Sequence, residues 1–191
     1  MLAYSGKGRF VVEPVDLSEV VREMAHMLEV SISKGVVLNY DFAKDLPAVE
    51  ADVTQMRQVV MNLIINASEA IGEAEGTVTV RTRRIDADQE TLSETYLGAD
   101  LPEGPYVVLE VSDTGCGMDA ETQARMFDPF YSTKFAGRGL GLAALLGIVR
   151  GHRGAVKVDS EVGRGTTVTV LLPASDLPAV RRGPEKPSEA T

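Results

Sequence analysis

Apolar residues recur at helical spacing in three stretches of the chain. Leu17, Val20, Val21, Met24, Met27 and Leu28 trace one face of a helix that Asp16 or Ser18 caps and Gly35 ends. Met56, Val59, Val60, Leu63, Ile64, Ala67 and Ile71 trace a second helix, opened by Asp52 or Thr54 and closed by Gly72. Leu140 to Arg150 is apolar almost all round and predicts a third, buried helix. A short helix fits Ala120 to Met126. Elsewhere the period is two. TVTVRTRRI, from Thr77 to Ile85, alternates and reads as a strand. Val36–Phe42, Tyr106–Val111, Ala155–Ser160 and Thr166–Leu172 also read as strands, the last two joined by the Gly163-Arg164-Gly165 turn. Phe10–Val15 adds a strand whose Pro14 marks a sheet edge. The order is not a strict βαβ alternation. It predicts an α+β fold, a two-layer α/β sandwich with a mixed sheet of about five to seven strands covered on one face by about three helices.

Two stretches fall outside this pattern. Residues 86–104 (DADQETLSETYLGADLPEG) hold six acids and no base, and read as an exposed loop or insertion. From Ala174 the composition turns to ASDLPAVRRGPEKPSEAT, with three prolines and scattered charges, and reads as a linker or disordered tail over 174–191.

Composition narrows the class. The chain has 191 residues and a net charge of −9, with two histidines and one cysteine. That length suits one domain, which buries roughly 70% of its unfolded surface and needs no staples. One cysteine makes no internal disulfide, and two histidines with one cysteine make no four-ligand His/Cys zinc cage. Excess acid argues against the nucleic-acid backbone as main partner. The start, MLAYSGKGRF, lacks the apolar core of a secretory signal. The run GLGLAALLGIV, between Arg138 and Arg150, is far shorter than the about 20 residues that span a bilayer. A soluble protein of a reducing compartment is expected.

Four constellations carry candidate chemistry. Asn62 and Asn66 stand one turn apart in an otherwise apolar helix, and Glu69 and Glu73 continue their stripe. This is either a solvated polar stripe or a hard-cation site, because an Asn carbonyl oxygen is a neutral Mg²⁺ ligand shared readily with waters and substrate phosphates. Asp113-Thr-Gly115-Cys-Gly117 follows a strand. It is either a plain turn or a site where a fixed, acceptor-only carboxylate reads the exocyclic amine of adenine and refuses guanine. Gly137-Arg138-Gly139-Leu140-Gly141-Leu142 precedes an apolar helix, where free N–H groups suit phosphate and Lys134 and Arg138 add positive charge. Gly139, Gly141 and Ala144 also fit G-x-G-x-x-A, but YSTKFAGR before them is no strand, so the dinucleotide reading fails. Gly163-Arg164-Gly165-Thr166 is by itself a hairpin turn. Cys116 reads as a small space-filler, His26 as a structural or surface residue, and His152 as a partner for the dipole at the third helix's C-terminus.

In order along the chain, Asn62-x₃-Asn66, Asp113-x-Gly115-x-Gly117, Phe127-Asp-Pro-Phe130, Gly137-x-Gly139-x-Gly141 and Gly163-x-Gly165-Thr166 resemble the N, G1, F, G2 and G3 boxes of the histidine-kinase catalytic domain. That is the ATP-binding module of two-component sensor kinases, in the superfamily shared with DNA gyrase, Hsp90 and MutL. FDPFYSTK and the following GLGL look most like the nitrogen-sensor and hybrid-kinase branch. The resemblance covers roughly residues 10–173 and implies the ATP-binding sandwich known as the Bergerat fold. It implies ATP and Mg²⁺ as cofactors, with Asn66 the Mg²⁺ ligand and Asn62 beside the phosphates. It also implies that Asp113 reads adenine, that Gly115 and Gly117 shape the base pocket, and that Thr166 lies near it. Residues 118–138 would be the ATP lid, with Lys134 a contact to the γ-phosphate, Gly137, Gly139, Leu140 and Gly141 in the phosphate-facing loop and Arg138 adding charge. Phe127 and Phe130 would pack the lid.

The resemblance further implies that residues 1–9 end a preceding dimerisation helix. The partners would be the histidine-bearing dimerisation domain of the same kinase and, downstream, a response regulator or receiver domain. No nucleic-acid or membrane contact is expected of this segment, which would be cytoplasmic even where the full-length kinase is membrane-attached. The alternative is another ATPase of the superfamily or an anti-sigma serine kinase. Those members carry a glutamate base where this chain has Asn62, and an amide accepts no proton. A neutral imidazole needs no such base, so Asn62 favours transfer to histidine. Neither His26 nor His152 has the acceptor's H-E-x-x-N/P context, so autophosphorylation is not expected of this chain alone.

Overall fold

In the computed structural model, residues 10–128 and 140–180 are described, residues 140 and 141 for their backbone alone. The order is β1 (Glu13–Val15), α1 (Leu17–Leu28), β2 (Val36–Phe42), β3 (Val49–Ala51), α2 (Val53–Ile71), β4 (Gly76–Ala87), α3 (Gln89–Ser93), β5 (Gly104–Asp113), α4 (Ala120–Arg125), α5 (Leu140–Gly151), β6 (Ala155–Glu161) and β7 (Gly165–Pro173). A five-stranded sheet runs β2-β4-β5-β7-β6, and β1 with β3 forms a separate antiparallel ribbon. β2 lies parallel to β4, and the other pairs are antiparallel, so the sheet is mixed. The α+β sandwich expected from the periodicities is the fold observed.

Period two sorts the sheet into two faces. Val78, Val80, Val107, Leu109, Val111, Val156, Val170 and Leu172 are buried in one core with Leu17, Val20, Val21 and Met24 of α1, with Val59, Val60, Leu63 and Ile64 of α2, and with Leu145 and Val149 of α5. Each such side chain contributes about 1.5–3 kcal/mol when fully buried. The other face carries a charge ladder. Arg81 meets Asp41 at 3.5 Å and Glu110 at 3.4 Å, and Arg83 meets Glu110 at 3.6 Å. Glu110 is only 16% exposed, but the arginines are half-exposed, and pairs open to water on one side add little stability.

Both long helices start on aspartate. Asp16 Oδ1 accepts from the amides of Ser18 and Glu19, and Asp52 Oδ1 from those of Thr54 and Gln55. Ser18, the other expected cap of α1, is buried and shares a hydrogen bond of 2.8 Å with Thr82 Oγ1 instead. Gly72, at φ 66°, closes α2 as expected.

Several expectations need correction. α1 ends at Leu28, well before Gly35, and the chain leaves through turns in which Val30 is exposed. β1 is limited to Glu13–Val15, and its partner β3 is too short to show a period. Among the described side chains of α5, Leu145 and Val149 are fully buried, while Leu142, Leu146 and Ile148 are partly buried and Gly147 is exposed. The acidic stretch is the expected insertion and most of it is exposed, but it is anchored. It includes α3, and Leu92 is fully buried in a second cluster with Ala87, Tyr106, Val108, Ala155 and Leu171. Leu92, Leu97 and Leu101 are spaced at neither a helical nor a strand period, so the sequence pattern hid this contact.

The tail reading also shifts. Ala174 bridges Val49, the Ser175 amide donates to the Ala48 carbonyl at 2.7 Å, and the Val180 amide donates to the Pro14 carbonyl at 2.9 Å. Residues 174–180 therefore pack onto the β1–β3 ribbon. Residues 1–9 and 181–191 lie outside the described residues. Among the described residues no helix is long and apolar enough to cross a membrane.

Candidate functional site

The polar stripe of α2 is half-buried. Asn62, Asn66 and Glu69 are all partly covered, with Leu63, Ile64 and Ala67 buried behind them, while Glu73 lies beyond the helix and is exposed.

Asp113 is the last residue of β5 and is 8% exposed. It is registered against Val78 of β4 and Thr166 of β7. Its Oδ1 accepts from the Gly115 amide at 2.8 Å, which holds the carboxylate over its own turn. The turn is bonded to α2, because the Cys116 amide donates to the Ala70 carbonyl at 3.1 Å. A Cβ on Gly115 would stand 2.6 Å from the Ala70 carbonyl carbon, so only glycine permits this approach. Gly117 has φ +69°, and a Cβ there would fall on the Glu161 carbonyl oxygen. Gly165 has φ +125°, and its Cβ would fall on the carbonyl oxygen of Asp113. The Gly163 amide donates to the Cys116 carbonyl at 2.8 Å. The two glycine turns, distant in sequence, are interlocked around Asp113.

Hydroxyls complete the joint. Ser160 Oγ and Thr166 Oγ1 are 2.7 Å apart, Ser160 Oγ donates to the Gly165 carbonyl, and the Met118 amide donates to Ser160 Oγ at 2.8 Å. Gln123 Nε2 donates to the carbonyls of Met118 and Ser160 at 3.1 and 3.2 Å. Asp119 caps α4, and the bonds from Thr122, backbone first and hydroxyl second, hold its carboxyl below the usual carboxylate range. The sequence reading missed Ser160 and Gln123. A signal existed for Ser160, which breaks the inward-facing run Val156-x-Val158-x-Ser160 with a hydroxyl. Gln123 had none.

Of the remaining predicted residues, Leu140 and Gly141 open α5. Lys134, Gly137, Arg138, Gly139 and Phe130 lie outside the described residues. Phe127 is partly buried against the main core and meets Tyr96 edge-on, with ring centroids 4.9 Å apart. Cys116 is exposed, not the space-filler expected, because its amide rather than its side chain faces α2. His26 is on the surface. His152 is buried: its Nε2 accepts from the Asp52 amide at 3.2 Å, so Nδ1 carries the proton given to the Ile148 carbonyl at 2.7 Å. It thus bonds the end of α5, as expected, and also the start of α2, which was not.

Comparison with known proteins reads this geometry. Residues 51–176 match the family described as histidine kinase-, DNA gyrase B-, and HSP90-like ATPase. The chain belongs to that family. Its relatives are of the sensor-kinase kind. It is 40% identical over 175 residues to the sensor kinase CckA of Brucella abortus (strain 2308), covering 91% of this chain and 18% of CckA. It is 32% identical over 163 residues to the sensory histidine kinase/phosphatase NtrB of Rhizobium leguminosarum bv. phaseoli, covering 85% of this chain and 41% of NtrB. The crystal structure of full-length ShkA in complex with AMPPNP superimposes with a TM-score of 0.71 at 27% identity, covering 91% of this chain and 33% of that one. The chain therefore spans less than half the length of the curated relatives it matches, and corresponds to the catalytic ATPase-family domain of sensor histidine kinases.

The donor set of this histidine-kinase-like ATPase domain suits Mg²⁺ shared with phosphates. The described residues hold no group of three or more His, Cys, Asp or Glu side chains able to cage a metal. The half-buried amides of Asn62 and Asn66 are neutral oxygen donors, a type that Mg²⁺ accepts. Mg²⁺ bound by few protein oxygens keeps its remaining positions for water and phosphate.

Proposed function

We propose that this domain binds Mg-ATP and, with a histidine-bearing dimerisation domain, transfers the γ-phosphoryl group to that histidine. The observation that carries the reading is the joint at the end of β5. It places a buried, oriented Asp113 against the last turn of the helix that presents Asn62 and Asn66. Asp113 accepts from the adenine amine, a bond that guanine's carbonyl cannot supply. Gly115 and Gly117 let the base approach the main chain, and Thr166 lies beside it. Asn66 holds Mg²⁺, and Asn62 faces the phosphates. Bound there, Mg²⁺ would neutralise charge on the phosphate oxygens.

Lys134, Arg138, Gly137 and Gly139, with Leu140 and Gly141 in the first turn of α5, supply the cationic and N–H contacts at the phosphates. The chemistry is positioning and charge stabilisation. An imidazole nitrogen brings its own lone pair, so no general base is required of Asn62. The N–P bond forms as the bond to the leaving ADP oxygen breaks. The phosphohistidine then passes its group to an aspartate on a response regulator or receiver domain. Residues 10–173 form the catalytic unit in this reading, and residues 174–180 that follow it rest on β1 and β3. The segment acts in the cytoplasm.

The test mixes this chain with a separate histidine-bearing dimerisation domain and γ-labelled ATP. An acid-labile label on the partner is expected. Steady phosphate release by the chain alone, with no label transferred, would instead indicate an ATPase.

A further inference from the structure

We infer that the acidic insertion between β4 and β5 is a positioning element for the nucleotide site, acting through Tyr96 on Phe127. The inference rests on the ATP-binding reading above. Tyr96 sits at the free side of β6. Its amide donates to the Val156 carbonyl at 2.7 Å, and the Val156 amide donates back to the Tyr96 carbonyl at 3.1 Å, so one residue of the insertion pairs with the sheet edge like a further strand. Glu94 and Lys157 flank the clip with an ion pair at 3.9 Å. Leu92 anchors the insertion on the outer face of the sheet, fully buried. Leu97, next to Tyr96, holds φ +72° and packs against the main core from the other side. A leucine in the left-handed region is costly, and persists only where surrounding contacts over-determine it. Here full burial of Leu92 and partial burial of Leu97 on either side of the sheet edge fix the residue between them.

The ring placed by this clip is 43% exposed and meets Phe127 at 69°, edge-to-face. Phe127 directly follows α4 and Met126, in the segment that starts at Met118. That segment is tied to the glycine-turn joint at its beginning by the Met118–Ser160 and Gln123 bonds. Tyr96 holds its other end. Residues 118–128 are therefore fixed at two points, one on the base-pocket side and one on the insertion, before the chain runs on to the glycine-rich loop. Tyr96 touches no reacting group and is a positioning residue.

The test is calorimetric titration of Mg-ATP into wild type, Tyr96→Ala and Tyr96→Phe, with hydrogen exchange followed over residues 119–128. The main-chain clip and Leu92 remain in both variants. Y96A is expected to weaken Mg-ATP by about two- to tenfold, the range an aromatic pair supports. It is also expected to speed exchange in 119–128 while leaving β5 and β7 protected, and Y96F restores both. Equal affinity and exchange in wild type and Y96A would overturn the inference, as would equal losses in Y96A and Y96F, which would assign the effect to the hydroxyl. If Y96A lowers the thermal midpoint, Phe127→Leu, which leaves the insertion intact, takes its place with the same expected losses. A wild type that binds no Mg-ATP would overturn the ATP-binding reading itself, a result distinct from any difference between variants.

Discussion

The amide of Cys116 donates a hydrogen bond of 3.1 Å to the carbonyl oxygen of Ala70. Ala70 is in the last turn of α2, where helix carbonyls have no partner within the helix. Ser68 is served by the Gly72 cap, and Ala70 by the turn after β5. One bond thus satisfies a helix end and sets the distance between the Asn66 helix and Asp113. Gly115 must lack a side chain for it to form.

Asn66→Ala is expected to keep the fold, since the side chain is only half-buried. It should remove a neutral oxygen ligand and weaken ATP in the presence of Mg²⁺ by at least about tenfold. Calorimetric titration with and without Mg²⁺ checks this. Unchanged affinity would remove Asn66 from the metal site.

Asp113→Asn replaces an acceptor-only group with one that also donates. A hydrogen bond to a charged acceptor contributes about 1.5–3 kcal/mol, so a loss of roughly tenfold or more in ATP affinity is expected. Wild type should prefer ATP to GTP, and the variant should lose much of that preference. A wild type that binds both equally would contradict the base-reading role.

Gly165→Ala tests the interlocked turns. The residue holds φ +125° and its Cβ would fall on the Asp113 carbonyl oxygen. A destabilisation of at least about 1–2 kcal/mol is expected, together with weaker ATP binding because Asp113 must move. Gly163→Ala, at φ +81° but in open space, should cost less in the same thermal melt.

Tyr106 gives a pH signature. Burial raises its phenol above the ordinary value, and its hydroxyl donates to the Pro102 carbonyl at 2.6 Å, pinning the insertion. A raised folded-state value means this stability is complete below the unfolded value of about 10. It is lost as pH rises through the folded value. Alkaline unfolding followed by circular dichroism should therefore be steeper for wild type than for Tyr106→Phe. The variant should be weaker by about 0.5–1.5 kcal/mol at neutral pH. Equal alkaline profiles would refute this.

The glycine turns at 115–117 and 163–165, an aspartate among the two cap candidates of each long helix, and the Asn62–Asn66 stripe were legible because each is a local pattern, decided by residues within a turn of one another. The anchoring role of Leu92 was not, since the leucines at 92, 97 and 101 of the acidic stretch follow no helical or strand period. Ser160 showed only as a broken alternation. His152 joins Asp52 from 100 residues away, and no local pattern reports on such a pairing.

By itself the amino-acid sequence determined the long helices, the five strands of the main sheet, the α+β class and the family, because backbone periodicity and turn chemistry are set by neighbours along the chain. Only the tertiary structure decided that the Asp113 turn bonds to Ala70, that Gly165 must admit the Asp113 carbonyl, and that an acidic insertion reaches Phe127 through Tyr96. Those contacts depend on which surfaces the sheet order brings together, and burial and orphaned backbone groups then select the partners.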